Sequence, residues 1–117
     1  MLRLALIIPF LCVAFPAFAG EARIVGVKAR QVGGSYTFSV TVSHADQGWD
    51  HYADKWQVRA PDGTVLGERV LLHPHDEEQP FTRSQEAIVV PQGIGKVLVR
   101  AHDTVHGWGA THEHEIE

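Results

Sequence analysis

The chain is poor in sulfur: Cys12 and Met1 are its one cysteine and one methionine. A protein cut beyond residue 12 therefore has no thiolate or thioether ligand and no disulfide, and holds its fold by apolar burial alone. That composition argues against a copper(I) carrier, which draws on soft sulfur donors. A membrane-spanning run is missing too. The apolar stretch Leu4 to Phe18 falls short of the roughly 20 residues a spanning helix needs, and Pro9 and Pro16 interrupt it. Positive charge is scarce: from Gly20 onward nine basic residues stand against fourteen acidic ones, a formal charge of −5. Nucleic acid and anionic lipid both require a basic face, so neither is an expected partner. After Ala19 no segment carries apolar residues at helical spacing.

The N-terminus has the order of a secretory signal: Arg3, an apolar stretch, then Ala17-Phe18-Ala19 with small residues three and one before a cut. Residues 1–19 are expected to be a cleaved signal peptide, with a mature start at Gly20 and a periplasmic or secreted address. Phe10-Leu11 before Cys12, with more apolar chain after it, is unlike an acylated lipoprotein cysteine. Residues 20–117 suit a single domain, with no membrane span after cleavage.

Within that domain the dominant signal is alternation. Tyr36, Phe38, Val40 and Val42 share one side of a segment whose other side is Ser35, Thr37, Ser39, Thr41 and Ser43. Trp56, Val58 and Ala60 repeat the pattern against Lys55, Gln57 and Arg59, and Val97, Val99 and Ala101 against Lys96, Arg100 and His102. A period of two with one apolar side is a strand with one face in a core. Turn residues at Gly33-Gly34, Pro61-Asp62-Gly63 and Pro91 to Gly95 cut the chain into seven short strands. The expected fold is all-β: a seven-stranded antiparallel β-sandwich of the immunoglobulin or fibronectin type III kind, with Trp56 as its core tryptophan.

All eight histidines lie beyond residue 43. If every connection reverses the chain, alternate loops share one end. The first, third and fifth connections are short and without histidine. The second, fourth and sixth, His44 to Tyr52, His73 to Pro80 and Asp103 to Ala110, hold His44, His51, His73, His75 and His106, with His102 at the strand end leading into the last. Trp49, Asp50, Tyr52, Glu78, Phe81, Arg83, Asp103 and Trp108 join them, a composition of imidazole, carboxylate and aromatic groups suited to a binding end. Imidazole nitrogen and carboxylate oxygen suit zinc, copper(II) or nickel. The expected metal ligands are His73 and His75, held by Pro74, with one or both of His102 and His106, and Glu78 or Asp103 as a ligand or as the group that orients one. The alternative is that the loop histidines are structural, with Asp50, Asp103 and Arg83 in an ion-pair network. The same loops would then present Trp49, Tyr52, Phe81 and Trp108 to a protein of the cell envelope. His112 and His114 alternate with Glu113, Glu115 and Glu117 in a terminal strand expected to be solvated.

Two resemblances accompany these readings. Lys96 to Gly109, KVLVRAHDTVHGWG, resembles the sixth strand and following loop of fibronectin type III modules in pattern. GWDHYADKW (Gly48 to Trp56), PDGTVLGERVLLHPHDEEQPFTRS (Pro61 to Ser84) and VRAHDTVHGWG (Val99 to Gly109) resemble a family of small exported bacterial proteins, with HPHxxEQPFTRS as the distinctive run. This second resemblance implies a periplasmic or secreted protein and carries over no catalytic residue. No His-Glu-x-x-His helix and no Gly-x-Ser-x-Gly nucleophile turn occurs, so a binding module is expected rather than an enzyme, a metal-dependent hydrolase being the lesser alternative.

Overall fold

A computed structural model describes residues 20–116. The expected signal peptide, residues 1–19, and Cys12 within it lie outside the described residues, as does Glu117. Strands β1 (Arg23–Val32), β2 (Ser35–Ser43) and β5 (Phe81–Ile88) form one sheet in the order β1-β2-β5. The second sheet runs β4 (Val65–Val70), β3 (Ala53–Arg59), β6 (Lys96–Asp103), β7 (Gly107–Trp108), and β8 (His112–Glu115) pairs with β6 as well. Every paired neighbour is antiparallel. The architecture is the expected all-β sandwich.

The alternating rows become its core. Phe38, Val40 and Val42 from β2 are fully buried against Trp56 and Val58 of β3 and Val97, Val99 and Ala101 of β6. Phe81 and Ile88 from the ends of β5 complete the filling. Each such side chain contributes roughly 1.5–3 kcal/mol of transfer free energy, the only large favourable term open to a domain with no cross-link. On the outer face of the smaller sheet, hydroxyls pair across strands: Ser39 with Ser84 and Thr41 with Thr82, each at 2.7 Å. Such polar pairs hold the register at little cost, because water is at hand for their remaining lone pairs.

The strand count is eight rather than seven because the sixth connection, expected as a loop, contributes a short strand of its own and splits the pairing along that edge. Gly107 and Trp108 pair with Asp103 and His102, and His112 to Glu115 resume pairing lower on the same edge, with Val99 to Lys96. Between them the backbone N–H of Gly109 still donates to Ala101 O, at 2.8 Å. A Cβ on Gly109 would lie 2.1 Å from the carbonyl oxygen of Ala22, so the chain can pass there only as glycine. The N-terminal segment is thereby laid directly against the split. Ala22 is fully buried, and the Glu21 carboxylate accepts the N–H of Ala110, at 3.3 Å.

Candidate metal site

Two core rows run on past their apolar members. The row Phe38, Val40, Val42 of β2 continues to His44, and the row Val97, Val99, Ala101 of β6 continues to Asp103. Period two aims both polar side chains inward from opposite sheets at the same end, where neither side chain is exposed at all. His51, from the loop after His44, joins them. Ligand atoms of His44, His51 and Asp103 all lie within 4.8 Å of one another. His51 Nε2 is 3.2 Å from Asp103 Oδ1, and His44 Nε2 is 3.6 Å from Asp103 Oδ2. His106, half-exposed, closes the group: its Nδ1 is 3.4 Å from Asp103 Oδ1, and its ring centroid lies 4.9 Å from that of His51. The carbonyl oxygen of Gly20 reaches the same point, 3.2 Å from His44 Nε2 and 3.3 Å from His51 Nε2.

Proton accounting shows what this arrangement needs. Asp46 accepts from His75 N–H through Oδ2 at 2.6 Å, and from Ala53 N–H at 3.1 Å and His44 Nδ1 at 2.5 Å through Oδ1. Both oxygens being acceptors, the His44 proton sits on Nδ1 and, in the neutral ring, Nε2 presents a bare lone pair. His44 Nε2 faces the Gly20 oxygen and Asp103 Oδ2, both acceptors, so in the absence of a metal ion a proton on Nε2 makes the contact to Gly20 O. Asp103 Oδ2 is buried and has no hydrogen-bond donor. Its partner Oδ1 receives the N–H groups of Val105 at 2.7 Å and His106 at 2.6 Å. Burial pushes the Asp103 carboxyl up, but the N–H groups of His106 and Val105, with the fields of His44 and His106, outweigh it and hold the group below the usual carboxylate range. An ionised, buried carboxylate flanked by imidazole nitrogens is a place for positive charge, carried by a proton on the rings or by a bound cation.

The residues expected from sequence to form a metal set are shared among three places. Asp103 and His106 belong to the cluster just described. His102 does not: alternation along β6 turns it to the outer face, where its Nδ1 contacts Asp54 Oδ1 at 2.6 Å and its ring meets Trp108 edge-on at 4.9 Å. Arg100 stacks over the same Trp108 at 4.2 Å. His73, His75 and Glu78 form a third group. The ring of His75 lies flat on Phe81 with 3.8 Å between centroids, and its Nε2 accepts from the Arg83 guanidinium at 2.9 Å. Burial, followed by the fields of Arg83 and His73, lowers the His75 pKa, so the ring is neutral with its one lone pair already engaged. Arg83 also donates to Glu78 Oε1 at 3.2 Å, and His73 is exposed, its Nδ1 3.0 Å from Pro74 O. Within the His-Pro-His run, His75 thus has Nε2 engaged by Arg83, while the exposed His73 ring lies beside it with 4.7 Å between centroids. Of the other loop candidates, the Asp50 carbonyl and the Tyr52 backbone bond to Thr104, and Trp49 stands exposed with its ring edge on Tyr52. Phe81 is buried, which removes it as a surface anchor. Asp46 was missed by the sequence reading, although it stands two residues beyond His44 at the start of the same loop. A groove of about 720 Å³ runs along residues 27–31, 36–39 and 114–116, and no member of the cluster lines it.

No family model matches the chain. A protein of Halomicrobium mukohataei named "Putative lipoprotein" is 51% identical over 90 residues, 76% of this chain and 44% of its own length, so the chain spans under half of that relative. Two solved structures share the fold. A hypothetical protein of Pyrococcus horikoshii OT3 aligns with a TM-score of 0.57 at 14% identity over 85% of this chain and 92% of its own. The superoxide reductase of Nanoarchaeum equitans aligns with a TM-score of 0.55 at 17% identity over 84% and 93%.

Proposed function

We propose that the protein is an exported β-sandwich module of the immunoglobulin or fibronectin type III kind that binds one divalent transition metal ion, zinc or copper(II), through His44 Nε2, His51 and Asp103, with His106 as a fourth donor. One observation carries this reading: Asp103 Oδ2, fully buried and without a donor, lies 3.6 Å from His44 Nε2, in a group with His51 whose ligand atoms fall within 4.8 Å of one another. Asp46 is then the carboxylate that fixes the His44 tautomer and turns Nε2 inward, the usual support for a metal-bound imidazole. Two or three imidazoles and a carboxylate form a borderline donor set that suits these ions. The address rests on the sequence signal and is supported by the lipoprotein name of the Halomicrobium relative. Among the described residues no helix is long and apolar enough to cross a membrane.

Calorimetric titration of tag-free protein with zinc and with copper(II) tests the reading. Micromolar or tighter one-to-one binding is expected, weakening as pH falls through the histidine range because the neutral ring is the ligand. No binding, or binding unchanged in a His44→Ala, His51→Ala double variant, removes it.

A second reading makes the module an enzyme: a redox-active metal at the same site would reduce superoxide. The fold shared with the Nanoarchaeum protein supports it, but fold alone carries no activity. Metal-dependent superoxide consumption lost in Asp103→Asn would favour it over simple binding.

A further inference from the structure

We infer that the metal site is completed by the α-amine of Gly20, so that the cut that removes the signal peptide also finishes the site. This rests on the metal-binding reading above and names one further ligand.

Gly20 is wedged among the imidazoles. Its carbonyl oxygen lies within 3.3 Å of both His44 Nε2 and His51 Nε2. A Cβ on it would fall 2.4 Å from His106 Cε1 and 2.6 Å from His106 Nε2, so its Cα is pressed against the His106 ring. The chain after it holds it there: buried Ala22 backs onto Gly109, and Glu21 accepts the N–H of Ala110. The sequence puts the expected cut at this point, since Ala17-Phe18-Ala19 predicts hydrolysis of the Ala19–Gly20 bond. Water adds across that bond, its hydroxyl to the Ala19 carbonyl carbon and a proton to the Gly20 nitrogen.

The chemistry changes sharply at that step. A peptide nitrogen has its lone pair delocalised into the carbonyl and is no ligand at neutral pH. A free α-amine, with a pKa of about 7.7–8.0, gives up a proton readily enough to bind a metal ion. Amine nitrogen and the carbonyl oxygen of the same residue close a five-membered chelate ring. The uncut precursor offers the oxygen alone. The cut protein offers both atoms, on a residue already seated beside three imidazoles. Metal binding is thereby strengthened by the cut, on top of what the imidazoles and Asp103 supply in the precursor.

The full chain is expressed with export, its N-terminus read by intact mass, and the purified protein titrated with zinc and copper(II) before and after selective acetylation of the α-amine near neutral pH. A second chain with one serine inserted between Ala19 and Gly20 is cut one residue early and carries its amine elsewhere. The expected result is a start at Gly20, and affinity lower by on the order of tenfold in both altered forms, the scale a supporting contact to a metal site carries. Unaltered thermal melts of the metal-free forms show that neither change disturbs the fold. Equal affinity in all three forms, or a mature start at any residue other than Gly20, overturns this inference and leaves the binding reading intact. Failure of every form to bind overturns the binding reading itself.

Discussion

Replacing Asp103 by asparagine separates a metal ligand from a structural counter-ion. In the metal-free protein Asp103 Oδ1 accepts two backbone N–H groups, whereas Oδ2 is buried with no donor. Asparagine keeps the first arrangement and sets an NH2 where Oδ2 was, 3.6 Å from the lone pair of His44 Nε2. Removing an unsatisfied buried acceptor returns about 1–3 kcal/mol, and a new hydrogen bond to His44 adds about 1. Against this, the two N–H bonds lose the charge on their acceptor, about 1 kcal/mol each. The sum is about 0–2 kcal/mol in the variant's favour, so Asp103→Asn is expected to unfold in urea at or somewhat above the parent's midpoint when chelator is present. The same variant loses an anionic ligand, and zinc should no longer raise its melting temperature. If Asp103 instead neutralises protonated imidazoles, the substitution strands buried positive charge and costs about 3–5 kcal/mol. A loss of that size, with the response to zinc preserved, would refute the proton accounting on which the site rests.

Asp46→Asn should behave in the opposite way. It holds three donors with two oxygens, so an amide must face one N–H with another. A loss of about 3 kcal/mol, seen as a fall in melting temperature of on the order of 15 °C, is expected together with weakened zinc binding. His102→Ala should leave zinc affinity unchanged, because that ring sits on the outer face against Asp54 and Trp108. Stability measured in urea should fall as pH drops below about 6.5: His75, with its pKa lowered in the fold, binds a proton more readily unfolded, so its contribution is complete above that pH and is lost toward its folded value. Asp103, lowered from the usual carboxylate range, adds a separate loss only below about pH 4. Gly67→Ala would set a Cβ 2.6 Å from the Ile88 side chain, a cost of about 1–3 kcal/mol that Ile88→Val should partly recover in the same melt.

Most of the fold was legible because it is local physics. Alternation at 36–42, 56–60 and 97–101 needs only neighbouring residues to decide which side chains meet the core, and the turns at Gly33-Gly34 and Pro61-Asp62-Gly63 are set by their own dihedral preferences. The same parity already aimed His44 and Asp103 inward and His102 outward, and extending the rows by one step would have preferred the first two as ligands. The spacing of His-Pro-His points to a pair of which the structure engages one member, His75, with Phe81 and Arg83. No spacing in sequence reports that stacking.

The sequence by itself determined that this is an all-β chain without sulfur past residue 12, with five of its eight histidines in alternate connections. Which imidazoles share a point was decided only when two sheets packed face to face, because His44 and Asp103 are 59 positions apart and meet through a core that neither belongs to. The seat of Gly20 is likewise tertiary: it depends on a carbonyl at Ala22 finding a glycine at 109, a contact between the two ends of the domain that no local pattern encodes.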